Sequence, residues 1–276
     1  MAFNRGKEQR GTSTARPKGF FDDHPRFLET STTANHRGRL NLRHEALITA
    51  NADALDGARV LDMASHDGRW TLAALRAGAS HVTGIEARPE LVKHAADTLD
   101  SYAVSHDAYR IITGDIFEVL ADPGFEVDVV LCFGFLYHTL RYPELLSSLA
   151  RMEPRHLLLD TKVWPGPERV IRLGVDDAGN EGQAAADAYT GGTKTLVGSP
   201  SQSALRMMLR VYGFQVEAEH DWRATIDRYG EGAVKSYAQG ERVSWRARFV
   251  GIGAVHPGPR GGAPLTASTP PAVDDR

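Results

Sequence analysis

The 276-residue chain has little cysteine, no excess of positive charge and no long apolar run, and each shortage excludes a class of protein or site. Its single cysteine, Cys132, excludes an intramolecular disulfide and a zinc site built from cysteines. With a formal net charge of −3, the chain lacks the excess of basic residues that is typical of proteins that bind long stretches of nucleic acid. No apolar run approaches the roughly 20 residues that span a bilayer, and the charged N-terminus has no apolar segment behind it. We therefore expect a cytoplasmic enzyme with no membrane segment.

Both ends of the chain are poor in residues that pack into a core. Residues 1–19 are polar and mostly basic, and residues 256–276 are rich in proline, glycine and small side chains. Because neither segment can offset the entropy lost on ordering, we predict two disordered tails. Residues 20–255 are apolar enough to form one domain. Within it we expect a helical N-terminal cap over 20–55 and a lid-like insertion over 163–200.

Strand-like and helix-like segments alternate through this domain. The predicted strands are 59–63, 81–85, 109–113, 127–133, 156–160, 214–220 and 243–255. The predicted helices are 40–54, 70–77, 89–99, 143–151 and 201–212. This alternation predicts an α/β fold with a doubly wound, mostly parallel, seven-stranded sheet and right-handed crossovers. Ligands of such sheets bind outside the carboxyl ends of the strands.

The turn after the first predicted strand departs from a dinucleotide-binding fingerprint. It reads Met63-Ala-Ser-His-Asp-Gly68, with one glycine where G-x-G-x-x-G needs three. The strand also carries Asp62, and a carboxylate there suits a cationic group better than a pyrophosphate, which needs bare backbone N–H groups. The second strand leads to Glu86, whose carboxylate can hold both hydroxyls of a ribose. The pattern favours a nucleoside-containing ligand with a positive charge.

Four motifs in this order resemble those of the class I S-adenosylmethionine-dependent methyltransferase family. They are Asp62-x-Ala64-x-His66-x-Gly68, then Glu86, then Gly114-Asp115-Ile116, then Val-Val-Leu-Cys-Phe-Gly-Phe-Leu-Tyr-His-Thr over 129–139. The resemblance covers roughly residues 40–255, and it implies S-adenosylmethionine as the cofactor. One departure concerns the family's first two glycines, which are replaced by Ala64 and His66. A positive φ at His66 would be uncommon, although histidine is among the residues enriched there.

The resemblance also implies a role for each matching residue. Asp62 would lie near the methionine ammonium, directly or through water, and the turn with Ala64, Ser65, His66 and Gly68 would let the backbone approach the cofactor. Glu86 would accept hydrogen bonds from the ribose hydroxyls, and Asp115 would accept from the adenine amino group, with Ile116 beside it. Arg43 or Arg39 would meet the cofactor carboxylate. The other candidates for cofactor binding are Trp70, Ala87, Phe133 and Gly134.

His138 is the candidate general base because it directly follows the fourth predicted strand and its imidazole titrates near neutral pH. Asp160, at the end of the fifth strand, is expected to orient it. The alternative is that His138 caps the following helix or packs on Tyr137. Strand four ends without a carboxylate, and Asp160 alone would make a poor magnesium site, so no metal is expected.

These residues predict an O-methyltransferase that acts on a small hydroxylated molecule such as a sugar, glycoside or secondary metabolite. Residues 199–214 also resemble a segment of tRNA-modifying methyltransferases, but the acidic charge balance argues against a nucleic-acid partner. A third possibility, a non-catalytic nucleotide-binding domain, is favoured by Ala64 and His66. A homodimer stays open. Further candidates for the acceptor pocket are His24, His36, Trp164 and Tyr189, and Lys194 lies in the same predicted insertion as Tyr189.

Overall fold

The computed structural model describes residues 18–31, 36–177, 192–229 and 234–253. Nearly all of both predicted tails therefore lies outside it. The described residues form a seven-stranded sheet and a separate two-stranded sheet. Among them, no helix is both long enough and apolar enough to cross a membrane.

The seven-stranded sheet confirms the predicted fold class. Its order is β3-β2-β1-β4-β5-β9-β8, with β1 to β5 parallel and β9 antiparallel to both of its neighbours. The order reverses between β1 and β4, which is where a doubly wound sheet opens a crevice. The strands are β1 (Arg59–Met63), β2 (His81–Glu86), β3 (Tyr109–Thr113), β4 (Val129–Phe133), β5 (His156–Lys162), β6 (Ile171–Asp177), β7 (Lys194–Pro200), β8 (Phe214–Glu219) and β9 (Arg242–Phe249).

Helices cover both faces of this sheet, so its central strands are buried on both sides. All five residues of β4 are buried, as expected for a parallel strand between two helical layers. The helices are α1 (Phe20–Asp23), α2 (His36–Leu47), α3 (Ala52–Leu55), α4 (Arg69–Arg76), α5 (Pro89–Ser101), α6 (Ile116–Ala121), α7 (Tyr142–Arg151), α8 (Gln202–Val211), α9 (Trp222–Tyr229) and α10 (Lys235–Ala238). One core cluster packs α1, α2, α4 and α5 on the sheet, and the other packs α6, α7 and α8 on the opposite face.

The segment predicted as a lid-like insertion contains regular structure. Strands β6 and β7 pair as an antiparallel hairpin beside the main sheet, and residues 178–191 lie outside the described residues. The sequence also gave no sign of α6, which at six residues is too short to show a helical period. The predicted helix over 40–54 begins earlier, at His36, and ends at Leu47.

Candidate active site

A cleft of about 340 Å³ opens at the carboxyl ends of β1, β2, β4 and β5. This volume lies within the usual range for small-molecule sites. The cleft is where the topology places it, since the carboxyl ends of parallel strands share one edge of the sheet. It brings together most of the residues that the sequence singled out, namely Arg43, Ala64, His66, Trp70, Glu86, Ala87, Asp115, Ile116, Phe133, Gly134 and His138.

Asp62, Ser65, Gly68 and Asp160 do not line this cleft. Asp62 is 1% exposed and accepts a hydrogen bond from Thr71 Oγ1 at 2.8 Å, and burial raises the pKa of its carboxyl to about 7. A contact between Asp62 and a methionine ammonium would therefore run through water. Gly68 has φ 78°, and a Cβ there would lie 3.3 Å from the side chain of Ala95, so this glycine serves helix packing.

The turn after β1 keeps a left-handed backbone at the two positions where the resembling family has glycine. Ala64 has φ 51° and His66 has φ 53°. Such values are uncommon for residues other than glycine. The turn is held by hydrogen bonds at its centre, where Ser65 N donates to Ile85 O at 2.9 Å and His66 N donates to Glu86 Oε2 at 3.0 Å. The departure in sequence is therefore not a departure in backbone shape.

Two carboxylates lie at the β2 end of the cleft, and each is oriented by the backbone. Glu86 is 4% exposed, and its Oε1 accepts from Arg88 N at 3.1 Å. Asp115 caps α6, where its Oδ1 accepts from Phe117 N at 2.7 Å. A carboxylate has about four acceptor positions, so both side chains can still accept hydrogen bonds from a ligand. This end of the cleft suits a ligand rich in hydroxyl and amino donors.

Asp67 anchors the wall of the cleft, and sequence reasoning assigned it no role. It is fully buried, accepts from Arg69 Nε at 2.7 Å and Nη2 at 2.6 Å, and accepts from Thr30 Oγ1. Burial opposes its ionisation, but Arg69 and His66 outweigh burial and hold the pKa of Asp67 far below its ordinary value. The network ties the segment with Thr30 to the turn. The sequence signal that could have revealed this pair is the spacing of acid and arginine in Asp67-Gly68-Arg69.

Asp160 is the centre of a buried ion-pair network. It accepts hydrogen bonds from Arg43 Nη2 at 2.9 Å, Arg242 Nε at 2.7 Å, Tyr237 Oη at 2.6 Å and Ser244 Oγ at 2.8 Å. Burial opposes its charge, but the two guanidinium groups keep the pKa of Asp160 well below its usual range. With both oxygens engaged, Asp160 fixes α2, α10 and β9 to the end of β5.

His138 is oriented by Asp176 and not by Asp160, so that part of the sequence prediction is wrong. His138 Nδ1 lies 2.7 Å from Asp176 Oδ2, which belongs to β6. The reason is that the hairpin brings β6 over His138, while four donors already occupy Asp160. The ring of His138 also packs on Tyr137, with centroids 4.2 Å apart, as the alternative proposed.

The surroundings of His138 keep its imidazole neutral. Burial is the main cause that lowers the pKa of His138 below its ordinary 6.5, and Lys162 and Arg242 lower it further. Asp176 acts in the opposite direction without cancelling these effects. The carboxylate of Asp176 favours the tautomer with its proton on Nδ1, which leaves Nε2 as a hydrogen-bond acceptor. A neutral imidazole of this tautomer can accept a proton at Nε2.

The remaining candidates for the acceptor pocket do not line the cleft, and neither does Lys194. His24 stacks on Phe20, Trp164 lies under Arg172, and Lys194 pairs with Asp177. Tyr189 and the side chain of His36 fall outside the described residues. In the described part of the chain, no group of three or more His, Cys, Asp or Glu side chains could hold a metal ion. Sequence reasoning did not assign a site role to several residues that line the cleft, among them Tyr137, Lys162 and Arg242.

Comparisons with known proteins concern the domain and its fold. A family model described as a methyltransferase domain matches residues 60–154, and no curated protein matches the chain. The N-terminal domain of EvdMO1 with SAH bound has a TM-score of 0.55 at 19% identity, over 82% of this chain and 94% of that chain. Magnesium protoporphyrin IX methyltransferase (ChlM) from Synechocystis PCC 6803 with bound SAH has 0.53 at 15%, over 81% and 93%. An S-adenosylmethionine-dependent methyltransferase from Mesorhizobium loti has 0.50 at 15%, over 73% and 95%. At these identities the solved structures establish the shared fold.

Proposed function

Because the chain carries a class I S-adenosylmethionine-dependent methyltransferase domain, we propose that it methylates a hydroxyl group of a small molecule, with His138 as the general base. The observation that carries this proposal is the His138–Asp176 pair in the cleft. The carboxylates of Glu86 and Asp115 mark the other end, after β2 and β3. A base at one end of the cleft and a nucleoside site at the other is the arrangement that hydroxyl methylation needs.

The residues of the cleft fit S-adenosylmethionine. Glu86 would hold the ribose and Asp115 the adenine amino group, through charge-assisted hydrogen bonds. Arg43 lines the cleft, where its guanidinium would meet the cofactor carboxylate. When bound, the cofactor supplies an electrophilic methyl group on a sulfonium. The side chains therefore need only to position the acceptor and remove its proton.

His138 and Asp176 form a pair that can do the second task. As the acceptor oxygen is methylated, its proton passes to Nε2 of His138, and the Nδ1 proton stays hydrogen-bonded to Asp176. The carboxylate holds the ring in one orientation and stabilises the imidazolium that forms, as in other base–orienter pairs. General base catalysis of this kind contributes about 10²- to 10⁴-fold to the rate.

Substitution of His138 tests the base. Transfer of a labelled methyl group from S-adenosylmethionine into cell extract would be measured for the wild type and for His138→Gln, with SAH affinity measured by calorimetry. We expect turnover to fall by about 100-fold or more while SAH affinity stays close to that of the wild type. Near-wild-type turnover in His138→Gln would overturn the assignment.

Asp176→Asn tests the pair. Since the pKa of His138 is lowered, the wild-type rate should rise with pH through an apparent pKa below 6.5 and be flat above pH 7. Removing Asp176 removes an influence that raises the pKa of His138, so the acid limb should move to lower pH while the maximal rate falls. Asp177→Asn, one residue along β6 and paired with Lys194, is the matched control and should change neither. An unshifted acid limb in Asp176→Asn would show that the pair is not functional.

A further inference from the structure

We propose that the methyl acceptor carries a compact anionic group, a carboxylate or a phosphate, which binds Lys162 and the guanidinium group of Arg242. The proposal deepens the proposed function and rests on it, since it takes the cleft beside His138 as the place of the acceptor. The charge along the cleft is uneven. At the β2 and β3 end, Glu86 and Asp115 are accompanied by Arg88, which pairs with Glu86, whereas the charged side chains that line the cleft around the end of β5 and the start of β9 are basic.

The basic end carries more positive charge than its own carboxylates balance. Arg39, Arg43, Lys162 and Arg242 all line the cleft there. Asp160 pairs with both Arg43 and Arg242, so one buried carboxylate serves two guanidinium groups. Among the described residues at this end, Arg43, Lys162 and Arg242 outnumber the carboxylates of Asp160 and Asp176. This concentration of positive charge also affects Arg39. Burial is the largest cause that lowers the pKa of Arg39, and Arg43 and Arg242 lower it further.

Lys162, Arg242 and the Tyr137 ring lie together at this end of the cleft. The Tyr137 ring has Lys162 Nζ 4.5 Å from its centroid and Arg242 Cζ 5.2 Å from it. Gly134, at φ 93°, leaves a gap beside them: a Cβ there would lie 3.5 Å from Arg242 Nη2 and 3.8 Å from Tyr137 Oη. Lys162 forms no ion pair with any carboxylate in the described part of the chain, although Arg43 and Arg242 do. Its ammonium is therefore available to a ligand.

The donors match one class of ligand. The ammonium of Lys162, together with the guanidinium hydrogens of Arg242 that Asp160 does not accept, is suited to the oxygens of a carboxylate or phosphate. Because Lys162 and Arg242 also act on the imidazole of His138, an anion held by them would lie close to the base. Such an anchor would fix the acceptor hydroxyl relative to Nε2, which is the positioning that accelerates the transfer. A cationic acceptor would be repelled from the same place.

Anion binding can be measured without knowing the acceptor. Inorganic phosphate and acetate would be titrated into the SAH-loaded protein, at constant ionic strength against chloride, by calorimetry. We expect at least one of the two to bind more tightly than chloride. In Lys162→Met, which keeps the apolar stem over Tyr137, binding should weaken about tenfold, the usual effect of losing one charge-assisted contact. Lys93→Met on α5, where the lysine side chain is 78% exposed, is the control and should bind as the wild type does.

Two results would overturn the proposal: phosphate and acetate that bind no better than chloride, or Lys162→Met that binds them as tightly as the wild type. A second measurement uses the labelled product from cell extract. We expect anion exchange to retain it, and a neutral product would overturn the proposal. Loss of retention after phosphatase treatment would identify the anion as phosphate, and unchanged retention as carboxylate. Failure of SAH to bind would count against the proposed function alone, because the anion titration can be run on the unloaded protein.

Discussion

At the scale of single residues, the turn after β1 shows that a left-handed backbone can be kept without glycine. Ala64 and His66 both adopt left-handed φ values, and a side chain in that region costs roughly 1–2 kcal/mol. The surrounding hydrogen bonds impose the shape, since Ser65 and His66 are held by Ile85 and Glu86. The replacement of glycine therefore carries little weight as evidence that the domain has lost its ligand.

This strain predicts that Ala64→Gly does not destabilise the protein. Glycine adopts φ 51° without steric cost, which offsets the entropy that glycine adds to the unfolded chain. The matched control is Ala96→Gly within α5, where helix propensity predicts a loss of about 1 kcal/mol. Urea unfolding of both variants would measure the difference in the free energy of unfolding. Equal losses at the two positions would show that the left-handed turn at Ala64 stores no strain.

The residues of the cleft were predictable to the extent that they follow strands in sequence. Glu86, Asp115 and His138 each follow a strand, so the order of strands alone placed them at one edge of the sheet. The partner of His138 was not predictable in this way. Asp176 lies 38 positions along the chain and reaches the imidazole only through the hairpin, so no local pattern marks the contact. In the order of strands, Asp160 was the carboxylate expected to lie nearest to His138. It instead pairs with Arg43 and Arg242 and holds neighbouring elements together.

At the scale of elements, the hairpin of β6 and β7 is a part of the fold that sequence reasoning did not identify. Strand prediction succeeded for β1 and β3, whose bounds were correct, because apolar residues bounded by turns mark buried strands. The hairpin lacks this pattern. Leu173 and Val175 on β6 are each 63% exposed, so the apolar residues of this strand do not form a buried face that a sequence pattern could reveal. Its position follows from a few tertiary contacts, such as Tyr142 Oη donating to Gly198 O at 2.7 Å.

The hairpin packs closely against neighbouring side chains at Gly198, so we expect Gly198→Ala to have a large effect on kcat. A Cβ at this position would lie 2.6 Å from Leu140 Cδ2, 2.6 Å from Tyr142 Oη and 2.8 Å from Ile171 Cγ2. These side chains and the hairpin would have to shift apart, and a shift of the hairpin carries Asp176 with it. We expect kcat to fall about tenfold or more, since displacement of a positioning group by about 1 Å can have such an effect, while SAH affinity is retained.

Gly174→Ala provides the comparison on the same hairpin. Its Cβ would meet only Val197 Cγ2, at 3.2 Å, a contact that a small side-chain movement relieves. We therefore expect kcat close to that of the wild type. Steady-state kinetics of the two variants beside thermal unfolding would separate displacement of Asp176 from general destabilisation. The element-level account of the site is wrong if Gly198→Ala and Gly174→Ala have the same kcat.

At the scale of the whole molecule, the cleft joins parts of the chain that are far apart in sequence. Thr30 is tied to Asp67, Arg43 on α2 is tied to Asp160 on β5, and Arg242 on β9 reaches the same carboxylate. The N-terminal segments and the last strand thus meet at the edge where β1 and β2 end. A ligand in this cleft contacts surfaces from the whole length of the domain, so its binding should stabilise the entire fold.

This linkage predicts that SAH raises the melting temperature of the full-length protein. A ligand present at about 100 times its dissociation constant adds about 2.7 kcal/mol to the free energy of unfolding, which for a domain of this size corresponds to about 5–10 °C. Glu86→Gln should reduce the shift, because Gln keeps the shape of the side chain but loses the charge that would strengthen the hydrogen bonds proposed between Glu86 and the ribose hydroxyls. If affinity falls about tenfold, roughly half of the stabilisation remains at the same SAH concentration.

Glu90→Gln, in the exposed first turn of α5, is the matched control for that measurement, and its SAH-induced shift should equal that of the wild type. Differential scanning calorimetry with and without SAH would give all three shifts. The comparison separates two explanations of the buried carboxylate. Glu86 accepts from His66 N and Arg88 N, so a purely structural carboxylate would lower the melting temperature without SAH when replaced and leave the SAH-induced shift intact. A reduced shift is expected only if the carboxylate itself contacts the ligand.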